Sequence, residues 1–174
     1  MFMISADNSR EHVIFLPDMK MGKIISGCKA VEEAVASIYR TFADFFPEYR
    51  TFWLDLYRDE LEHAFWLSDA NNTEAIDLLP SEDMLPSMDI IERTLVFVRG
   101  KNQYIKTNPV SLEEALKIAL KLEESMVETF TNEMTANLFA SDYEALSKKI
   151  IAAEKRHINK IEDMMLSKGF LQLS

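Results

Sequence analysis

Apolar residues recur at steps of three and four along four long stretches of this chain, each bounded by proline, glycine or a capping signal. In the first, from about Lys23 to Phe46, Val31, Val35, Ile38, Phe42 and Phe45 make one stripe, with Glu32 and Tyr39 on its edge. Pro47 suits the first turn of a following helix, so the break falls near Phe46 and Pro47. The second stretch, about Pro47 to Asn71, carries Leu54, Leu56, Tyr57, Leu61, Ala64, Phe65 and Leu67. Tyr57, Glu60, His63 and Ala64 share one of its faces, and Asp59 and Glu62 flank that face toward water. The third opens with the capping box Ser111 to Glu114 and continues to about Asn137, with Leu116, Leu120, Glu123, Val127 and Phe130 in one row. The fourth opens with a second box, Ser141 to Glu144, and ends at Gly169; Ile150, Glu154, His157, Ile161 and Met164 or Met165 point inward.

Residues 72 to about 110 connect the second and third stretches and are punctuated by Pro80, Pro86, Gly100 and Pro109. Within them Ser87 to Arg99 keeps helical spacing, and Gly100 can close that helix. Such a connection is too long for a tight turn and long enough to travel back along a bundle. The expected architecture is all-α: an N-terminal arm over 1–22, a four-helix bundle over 23–169 with a long crossover between helices 2 and 3, and a short tail over 170–174.

Polar residues interrupt the apolar stripes at particular heights. Glu32 points inward while Glu33 faces water, and Glu123 points inward while Glu124 falls in the solvated row. Glu60 with His63, and Glu154 with His157, are pairs at i and i+3, one turn apart on one helical face, so each pair aims a carboxylate and an imidazole at one point. The midpoint between Glu32 and Glu60 is residue 46, at the first turn; that between Glu123 and Glu154 lies between 138 and 139, beside the second. Residues equidistant from a hairpin turn lie at the same height, so each hairpin presents Glu, Glu and His in one layer. One Glu-x-x-His arises readily by chance in a glutamate-rich chain. Two of them, each matched by an inward carboxylate, form a twofold repeat with the donor set of a dinuclear carboxylate bundle. Four carboxylates and two neutral imidazoles balance two divalent cations.

Composition narrows the partners. A formal net charge of -10 disfavours a phosphate-tracking nucleic-acid binder and favours the approach of cations such as ferrous iron. No apolar run has the length of a membrane span, and Val13 to Leu16 is too short for a signal-peptide core, which makes a cytoplasmic location the default. The single cysteine, Cys28, reads as a buried thiol and excludes a disulfide framework or a four-cysteine metal site. His12 has no ligand-type neighbour at helical spacing, and Trp53, Trp66 and the ten methionines read as core or interface residues.

The run Glu32 to Tyr39, the run Asp59-Glu60-Leu61-Glu62-His63-Ala64, Glu123 with Phe130, and Glu154 with His157 together resemble the rubrerythrin family of the ferritin-like superfamily, over about residues 24 to 168. The resemblance implies a ferritin-like bundle with two iron ions, bridged by Glu60 and Glu154, with Glu32 and Glu123 as terminal carboxylates and His63 and His157 as one imidazole per metal. Manganese and mixed centres use the same ligand types. It further implies an oxidoreductase that reduces hydrogen peroxide or dioxygen, in a homo-oligomer such as a dimer. With one cysteine there is no rubredoxin iron, so electrons come from a separate donor protein. Met126 stands where rubrerythrins carry an additional glutamate, which keeps a ferroxidase or iron-storage protein as the second reading and a non-catalytic, metal-stapled bundle as the third. Tyr39 and Tyr57 project toward the same layer by periodicity; either can hydrogen-bond a ligand carboxylate or pass an electron or proton, or serve as a core aromatic.

Overall fold

The computed structural model describes the backbone of residues 19–70, 87–125 and 144–171, with side chains over 22–68, 87–125 and 155–171. Among these residues the protein is all-α, with helices α1 (Met19–Phe45), α2 (Arg50–Ala70), α3 (Met88–Thr107), α4 (Leu112–Glu123) and α5 (Glu144–Ser167). No helix among them is long and apolar enough to cross a membrane.

α1 and α2 form a tight hairpin. Pro47 forces Phe46 out of the helical region (φ -121°, ψ 74°), and one 3-10 turn, Pro47–Tyr49, reverses the chain. Phe42 then lies against Trp53 with ring centroids 4.8 Å apart, while Phe52 meets the indole edge-on at 4.8 Å. Trp53, Phe42, Ile38 and Leu56 are fully buried here. Burying each such side chain stabilises the fold by roughly 1.5–3 kcal/mol, so this cluster fixes the turn end of the hairpin and with it the height of everything farther along.

α3 is held on α1 by two devices. At Gly27 an added Cβ would come within 2.7 Å of Cγ2 of buried Ile91, so the missing side chain is what lets the two helices approach. Two to four turns along α1, Asn102 donates from Nδ2 to Ser37 Oγ at 2.7 Å and accepts from Thr41 Oγ1 at 3.0 Å. A buried amide satisfied in this way fixes one register of α3 along α1. It also explains a departure from the expected boundary. α3 does not stop at Gly100 but continues to Thr107, because Asn102 and Ile105 beyond the glycine are both buried, and the helix ends where Asn108 precedes Pro109.

α4 begins with the expected capping box, in which Ser111 Oγ accepts from the Glu114 N–H and the Glu114 carboxylate accepts from the Ser111 N–H. It ends at Glu123 rather than at Asn137: the Ser125 N–H turns back to the Leu122 carbonyl at 3.0 Å, a tightened final turn that breaks the α pattern. The remainder of that expected helix, with Val127 and Phe130, lies outside the described residues, as do the N-terminal arm with His12, the box at Ser141, and Met126. α5 packs against α4 through Ile161, Met165 and their neighbours and closes at Gly169, whose φ of +73° is the left-handed conformation a helix terminator uses. Cys28 and Trp53 are buried as expected, but Leu61, Phe65 and Phe45 are exposed at 40%, 65% and 41%. A stripe assignment that placed all of them inward was too wide for α1 and α2.

Candidate metal centre

Glu32, Glu60, His63, Glu123 and His157 converge in the interior from α1, α2, α4 and α5, and none is more than 5% exposed. Each helix delivers its residue by the same means, a polar side chain one position out of an otherwise apolar row. On α1 the row is Val31, Val35, Ile38 and Phe42, on α4 Leu116 and Ala119, and on α5 Ile161 and Met165, all buried. Glu33, Glu62 and Glu124, the neighbours of the inward carboxylates, are exposed.

The five residues form two triads that meet at one carboxylate. Glu32, Glu60 and His63 bring one ligand atom each within 4.8 Å of one another, and so do Glu60, Glu123 and His157. His63 Nδ1 is 3.5 Å from Glu60 Oε2 and 3.8 Å from Glu32 Oε2. His157 Nδ1 is 3.2 Å from Glu60 Oε1 and 3.3 Å from Glu123 Oε2. The two imidazoles lie nearly parallel, 5.6 Å apart. Glu60 therefore turns one oxygen toward each triad. Tyr57 is half-buried and packs on the hydrophobic core, and no described contact joins it to the triads. Glu154 lies in α5, one turn before His157, with its side chain outside the described residues.

Polar satisfaction separates the two triads. Glu123 accepts from the Tyr39 hydroxyl at 2.5 Å through Oε1 and lies 3.3 Å from His157 Nδ1 through Oε2, so both of its oxygens are engaged. His157 is engaged at both ring nitrogens, because Nε2 lies 3.0 Å from Asp59 Oδ2. By contrast, both oxygens of Glu60 and Nδ1 of His63 are buried and make no hydrogen bond: their neighbours are near enough for charge attraction but off the hydrogen-bond direction. A buried polar atom left so costs about 1–3 kcal/mol.

The charges follow from this arrangement. Burial pulls the His157 imidazole down, but the carboxylates of Asp59, Glu123 and Glu60 gathered around the ring outweigh it and push its pKa up to about 12. Burial would raise the Glu60 carboxyl; His157, His63 and Glu32 overcome this and hold it well below its ordinary value. Glu123 is raised by burial and by the charge of Glu60, only partly offset by His157 and Tyr39. Asp59, despite its own burial, is lowered by His157, Lys160 and Arg156.

No family model, curated protein or solved structure matches this chain. The donor set must therefore speak for itself. Carboxylates and imidazoles at this spacing suit divalent iron, manganese or zinc, and the hydrogen-bond-free atoms of Glu60 and His63 are the ones a cation would engage. The residues present fit two metal ions, one per triad.

Asp59 corrects the sequence reading, which placed it toward solvent. Its side chain is one-third exposed, yet its carboxylate reaches across from α2 to His157 on α5. A carboxylate on the far nitrogen of a ligating imidazole fixes the ring and leaves the other nitrogen for the metal. The signal lay in its position directly before Glu60, but the partner is 98 residues away and periodicity within one helix cannot reveal it. Trp66, half-buried, lies against His63 with the rings tilted and their centroids 5.3 Å apart, and was likewise legible only as an interface aromatic.

Proposed function

We propose that the chain is a non-haem di-iron oxidoreductase of the rubrerythrin type, which reduces hydrogen peroxide or dioxygen with electrons from a separate donor protein. In this reading α1, α2, α4 and α5 are the four helices of a ferritin-like bundle and α3 lies within the crossover. The observation that carries the proposal is the sharing of Glu60 by two Glu/His triads, a layout that offers one carboxylate to two cations at once.

Glu32 and His63 would complete one metal's protein ligands, and Glu123 and His157 the other's, with Glu154 on α5 as the expected second bridging carboxylate. Bound there, a pair of irons would supply the two electrons that reduction of the oxidant requires. The chain's own residues set the conditions. Asp59 holds the His157 ring with Nδ1 facing Glu60 and Glu123. Tyr39 fixes Oε1 of Glu123 and leaves Oε2 to face His157 Nδ1. Val31 and Leu122, the buried chain neighbours of Glu32 and Glu123, keep the surroundings of those carboxylates apolar.

Anaerobic loading with ferrous ion followed by mixing with hydrogen peroxide or air-saturated buffer tests this. The expected result is rapid oxidation of the bound iron with two electrons delivered per chain, faster with one oxidant than with the other. Many irons deposited per chain inside a closed shell would replace the proposal with iron storage, and bound metal that never changes oxidation state would replace it with a structural staple.

A further inference from the structure

Helices α3 and α4 both touch α1 but make little contact with each other, and the gap between them is a trough. Val31 and Val35 of α1 form its floor, Phe97 and Val98 of α3 one wall, and Leu122 of α4 the other. Two hollows of about 260 and 280 Å³ occupy it and share Phe97, Leu122 and Lys121, so they run end to end. Together they fall within the range of small-molecule sites, roughly 300–1,000 Å³. Phe97, at the junction, is 49% exposed, a large apolar surface left facing water.

The cations along the trough are not equivalent. Lys117 is taken by Glu113 at 2.6 Å, and Lys101 lies over the ring of Tyr104 at 5.5 Å. Lys121 lines both hollows, is exposed, and has no ion-pair partner among the described residues. Glu114 and Glu124 stand at the two ends of the same lining and disfavour a second negative charge. We infer that the trough binds an elongated apolar anion with a single charged head, of the fatty-acyl carboxylate class, its chain packed along Phe97 and Leu122 and its carboxylate on Lys121. An elongated ligand follows from two hollows in series, an apolar one from the walls, and a single negative charge from Lys121, the cation that lines both hollows, between two glutamates. The lining contains none of the five carboxylate and imidazole residues, Val31 and Leu122 being the chain neighbours of Glu32 and Glu123, and binding there calls for no metal.

The test is calorimetric titration of the 174-residue chain with dodecanoate, kept below its micelle-forming concentration, and with dodecanol as the uncharged counterpart. Saturable binding of one dodecanoate per chain is expected. Exchanging the exposed lysine, Lys121→Gln, should weaken dodecanoate about three- to fivefold, the scale of one exposed ion pair, and leave dodecanol unchanged. Ile118→Trp, which adds bulk to the first hollow, should weaken both ligands, with helical content as the folding control; the Lys121→Gln comparison stands without it. Uptake that does not saturate, equal dodecanoate binding by Lys121→Gln, or a shift to a dimer that excludes the ligand would overturn the inference, the last by assigning the trough to a second copy of the chain.

Discussion

The two triads at the centre of this protein contain the same chemistry and differ in how complete they are without a cation. Around Glu123 and His157, Tyr39 and Asp59 provide partners from α1 and α2, and Glu123 and His157 face each other. Around His63, the imidazole packs against the tilted ring of Trp66 and lies near two carboxylates, yet its Nδ1 and both oxygens of Glu60 make no hydrogen bond. One half of the centre is a satisfied polar network and the other half a set of aimed donors. The difference teaches that the two halves contribute unequally to folding, although each can hold a cation: the first stabilises the protein by itself, and the second acquires its value only from a cation.

Removing the shared residue should have the largest effect. Glu60→Ala takes one ligand from each triad, and binding of both metals is expected to be lost, as read by metal content after anaerobic loading and desalting; retention of two metals would break the comparison at its hinge. Next come the two histidines, which should part company in the protein free of metal. His157→Ala removes the cation between buried carboxylates and should cost about 3–5 kcal/mol in denaturant unfolding. His63→Ala should cost less, limited to the packing of its ring, while each variant forfeits one metal. Equal losses of stability would mean that the two halves are not distinct.

Asp59→Asn sharpens the same point from outside the layer. Because Asp59 acts through His157, metal affinity is expected to fall about 10- to 100-fold at one of two sites, with the second site and the fold retained. The smallest effect, taken one pH unit at a time, is that of pH. With a pKa raised from 6.5 to about 12, His157 stabilises the folded protein fully below about pH 6.5, and that contribution is lost as pH climbs toward 12. The same proton must leave before Nδ1 can hold a cation, so affinity at this triad should rise about tenfold per pH unit through the neutral range, with one proton released per metal. Proton release measured in weakly buffered solution checks the sign; uptake of protons on loading would contradict it.

Much of this was legible in the pattern of the chain. Glu32, Glu60, His63, Glu123 and His157 each interrupt an apolar row, and a charged residue in such a row either has a purpose or is expelled to the edge; all five are buried. The hairpin turn at Phe46 and Pro47 was equally plain, because proline constrains both itself and its predecessor. What was not legible depends on contacts between helices. Gly100 looked like a stop for α3, but the buried amide of Asn102, bonded to Ser37 and Thr41 on α1, carries the helix past it. Asp59 looked solvated because its partner belongs to another helix. Periodicity says which way a residue leaves its own helix, and only the packing of helices says what it meets.

The central claim is that one carboxylate serves two cations, and stoichiometry addresses it most directly. Anaerobic titration of the purified chain with ferrous ion, followed by the absorbance of the oxidised product and by metal analysis, should reach its endpoint at two irons per chain, with the two irons magnetically coupled through shared ligands. An endpoint at one iron per chain, or two irons that behave independently, would contradict it.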